Sequence, residues 1–194
     1  MRIIFAACAA GLFAAVVSVS PTAAQTLEEL TETPDEAAGH FLRSVRAIRW
    51  ETAAEFLHAE TQQRFRATVE MIVDADTTGV MLAFLVEGGR ADLGARPDVD
   101  VFDDAIGAVI DDMPGLMHAM YDRDDSVVGA VSEGDVDAHV VYRTTARISG
   151  ATSEVKVMQL RETDAGWRVV WSDELEVLDA ALRGISRRMI PPGS

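Results

Sequence analysis

Beyond residue 135 apolar and polar positions change places at every step. Val136, Ala138, Val140, Tyr142, Thr144, Ala146 and Ile148 fall on one face, and Asp137, His139, Val141, Arg143, Thr145 and Arg147 on the other. A period of two is that of a strand with one face buried. Residues 127–131 form a shorter apolar run before it, closed by the turn Glu133-Gly134-Asp135. After it, Ser149-Gly150 turns the chain, residues 153–162 return, Thr163-Asp164-Ala165-Gly166 turns it again, and residues 167–172 make a fourth strand. Strands joined by turns this tight pair antiparallel, because a parallel pair needs a crossover of a dozen residues or more. Residues 126–172 therefore predict a four-stranded meander.

The period lengthens on both sides of this region. Thr33-Pro34-Asp35-Glu36 is a helix start: Thr33 caps, Pro34 suits the first helical position, and Glu36 completes a capping box. Ala38, Phe41, Leu42, Val45 and Ile48 follow at helical spacing, with Glu36, Arg43 and Arg46 off that face. Trp50, Ala53, Ala54 and Leu57 share the face of a short second helix, His58 marks a break, and Phe65, Val69, Ile72 and Val73 belong to a third helix ending near Asp74. After the meander, Ser172 or Asp173 caps a last helix over residues 173–188. Leu175, Leu178, Leu182 and Ile185 lie on its inner face, which Val177 and Ala181 widen.

Residues 77–125 are harder to read. The apolar run 80–86 fits a strand or a buried helix equally. Residues 87–98, with three Gly and a Pro, read as a loop. Val101, Phe102, Ile106, Val109 and Ile110 predict a helix capped by Asp98 or Asp100, broken at Met113-Pro114-Gly115 and followed by one or two further turns. The fold class is α+β: N-terminal helices on a curved antiparallel meander, with a C-terminal helix.

Residues 1–24 read as a cleaved signal peptide. Arg2 supplies the positive start, residues 3–19 are apolar apart from Ser18, and Thr22-Ala23-Ala24 offers the small residues of a cleavage site before Gln25. The expectation is a periplasmic or secreted protein without a membrane anchor after cleavage, its residues 25–194 forming one domain. The single cysteine, Cys8, leaves with the signal, so neither a disulfide nor thiol chemistry is expected.

The chain carries 17 basic and 32 acidic residues, net −15, which excludes nucleic acid as a partner. The acid is uneven. Residues 98–125 hold nine Asp and one Arg, whereas residues 126–172 hold five basic against six acidic side chains.

Helices followed by a four-stranded meander resemble the NTF2-like superfamily. The stretch Phe41-Leu42-Arg43-Ser44-Val45-Arg46-Ala47-Ile48-Arg49-Trp50-Glu51-Thr52-Ala53-Ala54-Glu55-Phe56-Leu57 is similar to that family's opening, where one helix turns into a shorter one. Gly166-Trp167-Arg168-Val169-Val170-Trp171 is similar to its Gly-Trp-Arg-Val strand, and residues 138–143 fit its long second strand. The resemblance implies a cone in which the sheet wraps the helices around a pocket. It covers about 130 residues. The acidic segment 98–125 and the terminal helix depart from the pattern and bear on what that pocket holds. Members range from isomerases, epoxide hydrolases and polyketide cyclases to non-catalytic binding modules, so fold alone does not choose.

The candidate ligand-pocket residues are Tyr142, Phe41, Val140, Trp167 and Trp171. Tyr142 stands on the apolar strand face, where a buried hydroxyl needs a partner; it either marks a pocket or bonds a helix carbonyl. An enzyme would need a carboxylate or histidine beside it. Asp137 and His139 point away by strand parity, which leaves more distant residues such as His40 or Glu55. His40, His58, His118 and His139 lack metal-binding spacing, and Asp122-Arg123-Asp124-Asp125 lacks the glycine and distant Glu of a calcium loop. Asp103-Asp104 and Asp111-Asp112 stand about 11 Å apart along a helix, too far to share a metal. No catalytic residue, metal site or cofactor is assigned. Arg143, Arg147 and Arg168 form a candidate basic patch on the other sheet face. The reading that results is an exported, non-catalytic protein holding a small apolar ligand or a protein partner, with a homodimer through the sheet as one such pairing. The alternatives are a periplasmic lipid carrier and a SnoaL-like isomerase or hydrolase.

Overall fold

The computed structural model describes residues 33–86, 89–147 and 152–189. The signal-peptide expectation, the Ser149-Gly150 turn and Pro191-Pro192 lie outside them. Helices α1 (Pro34–Arg46), α2 (Trp50–Glu55), α3 (Ala59–Ala75), α4 (Val80–Leu85), α5 (Arg90–Ala95), α6 (Asp98–Asp112) and α7 (Pro114–Tyr121) precede four strands, β1 (Arg123–Glu133), β2 (Asp137–Ala146), β3 (Ser153–Thr163) and β4 (Gly166–Trp171). Helix α8 (Asp173–Met189) follows. The sheet is antiparallel with order β1-β2-β3-β4, the meander that the alternation predicts.

Local chemistry sets these boundaries. Thr33 Oγ1 accepts from the Glu36 N–H at 3.3 Å and Pro34 opens α1. His58 caps α3, its Nδ1 accepting from the Glu60 N–H at 3.2 Å. The chain reverses between α1 and α2 through Ile48, which sits at φ 56°, and turns between β1 and β2 at Gly134, φ 72°. Ser172 Oγ accepts from the Leu175 N–H at 3.4 Å and so starts α8.

Several details differ from the sequence reading. The run at 80–86 is helical, because Asp76 accepts from the Met81 N–H at 2.6 Å and from the Thr78 N–H at 2.9 Å, giving the first turn of α4 a cap from outside the helix. The loop read at 87–98 contains α5. Neither Asp98 nor Asp100 caps α6, whose N-cap is Pro97 with no side-chain bond. Asp98 is instead held by Arg66 of α3, which also donates to the Leu93 carbonyl at 2.8 Å. Strand β1 begins at Arg123, four residues before the expected start at Val127. Val136 and Val177 are 49% and 46% exposed, so neither widens a buried face.

Two apolar clusters hold the molecule together. The larger joins α1 and α2 to the inner sheet face, where Phe41, Leu57, Val140, Tyr142, Met158, Leu160, Val169 and Leu178 meet. The second lies among the helices and includes Val69, Met81, Val101, Val109, Leu182 and Ile185. Helix α8 feeds both, as its predicted stripe of Leu175, Leu178, Leu182 and Ile185 requires. The free edge of β4 is covered by the α2–α3 link: the Val169 N–H donates to Phe56 O at 2.7 Å, and the His58 N–H donates to Val169 O at 2.9 Å. Covering an edge in this way removes a template for strand addition.

Candidate functional site

The inner sheet face changes character along its length. Ala138, Val140, Met158 and Leu160 are fully buried and apolar. Nearer the start of β1 the same face turns polar. Tyr142 opposes Lys156 across the β2–β3 ladder, and Asp125 opposes Thr144 across β1–β2. The first turn of α8 lies over this end and brings Glu174 with it.

These side chains form one connected network. The Tyr142 hydroxyl donates to Glu174 Oε2 at 2.6 Å. Arg123 pairs with the other oxygen, Oε1, at 3.2 Å and with Asp125 Oδ2 at 3.1 Å. Thr144 Oγ1 donates to Asp125 Oδ1 at 2.7 Å. Lys156 Nζ stands 3.7 Å from Glu174 Oε1 and 3.6 Å from Asp173 Oδ2. Glu174 and Asp125 thus balance Arg123 and Lys156 inside the protein, which is the condition for burying such charges. Glu174 also sits at a helix N-terminus, where the backbone dipoles favour its negative charge. Burial, and then the charge of Glu174, pushes the Tyr142 phenol well above its ordinary pKa.

Tyr142 therefore meets a carboxylate, not the helix carbonyl weighed from sequence, and that partner is Glu174, neither His40 nor Glu55. His40 instead stacks on Phe56, ring centroids 5.6 Å apart. The Tyr142 and Glu174 side chains are fully enclosed. Of the network, Arg123, Thr144 and Lys156 reach the neighbouring cleft of about 230 Å³, which Thr152 and Glu154 also line. The chemistry of the pair is positional: it fixes α8 against the sheet.

Of the sequence-predicted pocket residues, Phe41, Val140 and Tyr142 are at 0% exposure in the main core cluster. Trp167 is half-buried and packs on the same cluster. Trp171 packs on that cluster too, beyond a register shift: Val169 pairs with Leu160, but Trp171 pairs with Gln159. Two residues of β4 thus span one step of β3, a bulge between Val169 and Trp171. Trp171 packs on Phe65, and the Arg64 guanidinium covers its ring at 3.7 Å. The candidate basic patch is neutralised in part, since Arg147 Nη2 pairs with Asp124 at 2.6 Å. Among the described residues, no group of three or more His, Cys, Asp or Glu is placed to hold a metal. No described helix is long and apolar enough to cross a membrane.

Two surface features remain. A cleft of about 540 Å³ lies between α1 and β1, lined by Asp35, His40, Arg43, Arg46, Ser126 and Val127 among others. On the outer sheet face Val131, Val155 and Val157 are 63%, 59% and 51% exposed. Val157 is directly opposite Val141 in the ladder, and Val155 opposite Arg143. Glu174 and Arg123 escaped the sequence reading because a single acid at a helix start and a single base at a strand start carry no spacing signal. No family model, curated protein or solved structure matches this chain.

Proposed function

We propose that this chain is an exported, non-catalytic interaction protein of NTF2-like type, and that its working surface is the open face of the sheet. The observation that carries the reading is the contrast between the two faces. The inner face is filled by Phe41, Val140, Tyr142, Met158 and Leu160, all fully buried. The outer face presents a valine stripe to solvent.

The occupant favoured by charge is a second copy of this chain. Two bodies of net −15 repel each other, least where the charge is lowest. The strand region is that place, with five basic against six acidic residues in 126–172. Its rim carries both signs, with Arg161 on Asp137 at 2.8 Å and His139 on Glu133 at 2.5 Å. An apolar centre with a mixed polar rim is the usual anatomy of such an interface.

Light scattering on purified protein, with and without Val157→Lys, tests this. A dimer that the substitution converts to a folded monomer is the expected result. A monomer at every soluble concentration overturns the self-pairing. Lipid retained in native mass spectra would favour the carrier reading instead.

A further inference from the structure

We infer that the cleft between α1 and β1 binds a small amino-acid-like zwitterion, with Arg43 taking its carboxylate and Asp35 its ammonium. The site lies away from the open sheet face and does not depend on self-pairing.

The argument begins with the charges that line the cleft. Three basic residues face it: His40, Arg43 and Arg46. Arg46 is already paired with Asp124 at 2.8 Å. His40 is held below its usual pKa, first by burial and then by the Arg43 charge, so its ring is neutral at physiological pH. Arg43 makes no hydrogen bond or ion pair among the described residues, which leaves it as the cleft's available cation. Of the acids, Asp125 is consumed by Arg123 and Thr144. Asp35 Oδ1 is buried without a hydrogen-bond partner, and Glu36 stands beside it. Asp35 as a whole is only half-buried, lines the cleft and makes no ion pair among the described residues, so its carboxylate is the acid that an ammonium in the cleft would meet.

The spacing of the two groups selects the ligand. Gly39 lies between them on α1. A Cβ added there would stand 3.2 Å from Arg43 Nη1 and 3.9 Å from a Val127 methyl. The guanidinium is therefore folded back along its own helix onto Gly39, where a Cβ would push it aside by a few tenths of an ångström. Gly39 and Asp35 are one helical turn apart, about 6 Å along the axis. A carboxylate and an ammonium on one carbon, each with its hydrogen bond, fill such a gap; a longer diacid or diamine would face one wrong charge. Leu42 and Val127 supply an apolar floor for a side chain. A simple anion is disfavoured by Asp35 and Glu36, and a simple cation by Arg43.

Nuclear magnetic resonance titration of the full protein with free alanine, valine and leucine tests the site. N-acetyl-leucine and leucinamide, each lacking one charge, serve as controls. Saturable shifts at the Gly39, His40 and Val127 amides are expected with at least one of the free amino acids, and at least tenfold weaker binding with both controls. Arg43→Gln should lose binding by a similar factor and leave the association state unchanged. Gly39→Ala should weaken binding by displacing the guanidinium. No saturable shift with any of the three amino acids overturns the proposal. So does equal binding of either control, or unaltered binding by Arg43→Gln.

Discussion

The Tyr142 hydroxyl and the Glu174 carboxylate meet at 2.6 Å, 32 residues apart in sequence and shut off from solvent on every side. This one bond joins the middle of the sheet to the first turn of the last helix. Arg123 closes the other side of the carboxylate, so the contact is an ion network and not an isolated hydrogen bond.

Breaking that network from its two ends should give unequal losses. Tyr142→Phe removes one donor from a carboxylate that keeps Arg123, and should cost about 1–3 kcal/mol. Glu174→Ala leaves a buried guanidinium without its second acid and should cost about 3–5 kcal/mol. Urea denaturation of both variants and of the double variant checks this. Strictly additive losses would show that the two side chains do not act together.

The same pair makes the protein sensitive to alkali. The folded-state pKa of Tyr142 is raised above its unfolded value, so the stability it confers is fully present below about pH 10. It is lost as pH rises, because the unfolded chain releases that proton and the folded chain does not. Denaturation midpoints should fall faster above about pH 10 in the wild type than in Tyr142→Phe. Parallel slopes would remove the phenol from the account.

Asp103 has the opposite sign from most carboxylates. Burial, and then the neighbouring charge of Asp104, raises its pKa. Its ionised form is disfavoured in the fold, and the penalty appears as pH rises through and above the unfolded carboxylate value of about 3.9. Asp103→Asn should therefore stabilise the protein at neutral pH and give little gain near pH 3. Thermal melts at the two pH values decide between this and a purely steric effect, which would not vary with pH.

Gly134 should tolerate a side chain in space but not in backbone. It holds φ 72° in the β1–β2 turn, and an added Cβ meets nothing within 4 Å. Gly134→Ala should lose about 1–2 kcal/mol, the cost of a left-handed conformation for an L-residue. Gly134→Asn should recover part of it. Equal stabilities of the two variants would show that the turn rearranges.

The proposed self-pairing through the sheet would make thermal stability depend on protein concentration. The melting temperature of the wild type should rise with concentration, and that of Val157→Lys should not. A melting temperature independent of concentration in both would leave the valine stripe without a second copy on it.

Local order was legible from residue pattern, because periodicity records which side chains face water. The alternation from Val136 onward foretold β2 and, with its turns, the whole meander. Leu175, Leu178, Leu182 and Ile185 foretold the buried stripe of α8. Thr33 was readable as a helix cap, and His58 as a break between helices, because capping acts within three residues. The tertiary structure alone decided what those faces meet. Run 80–86 became helical through Asp76, a carboxylate outside it. A register shift at Val170 interrupts the β3–β4 ladder, and nothing in residues 167–171 announced it. Glu174, Arg123 and Tyr142 converge from three elements, and nothing local marks their meeting. Burial of charge depends on the sum of distant neighbours, which is fixed only when the helices close over the sheet.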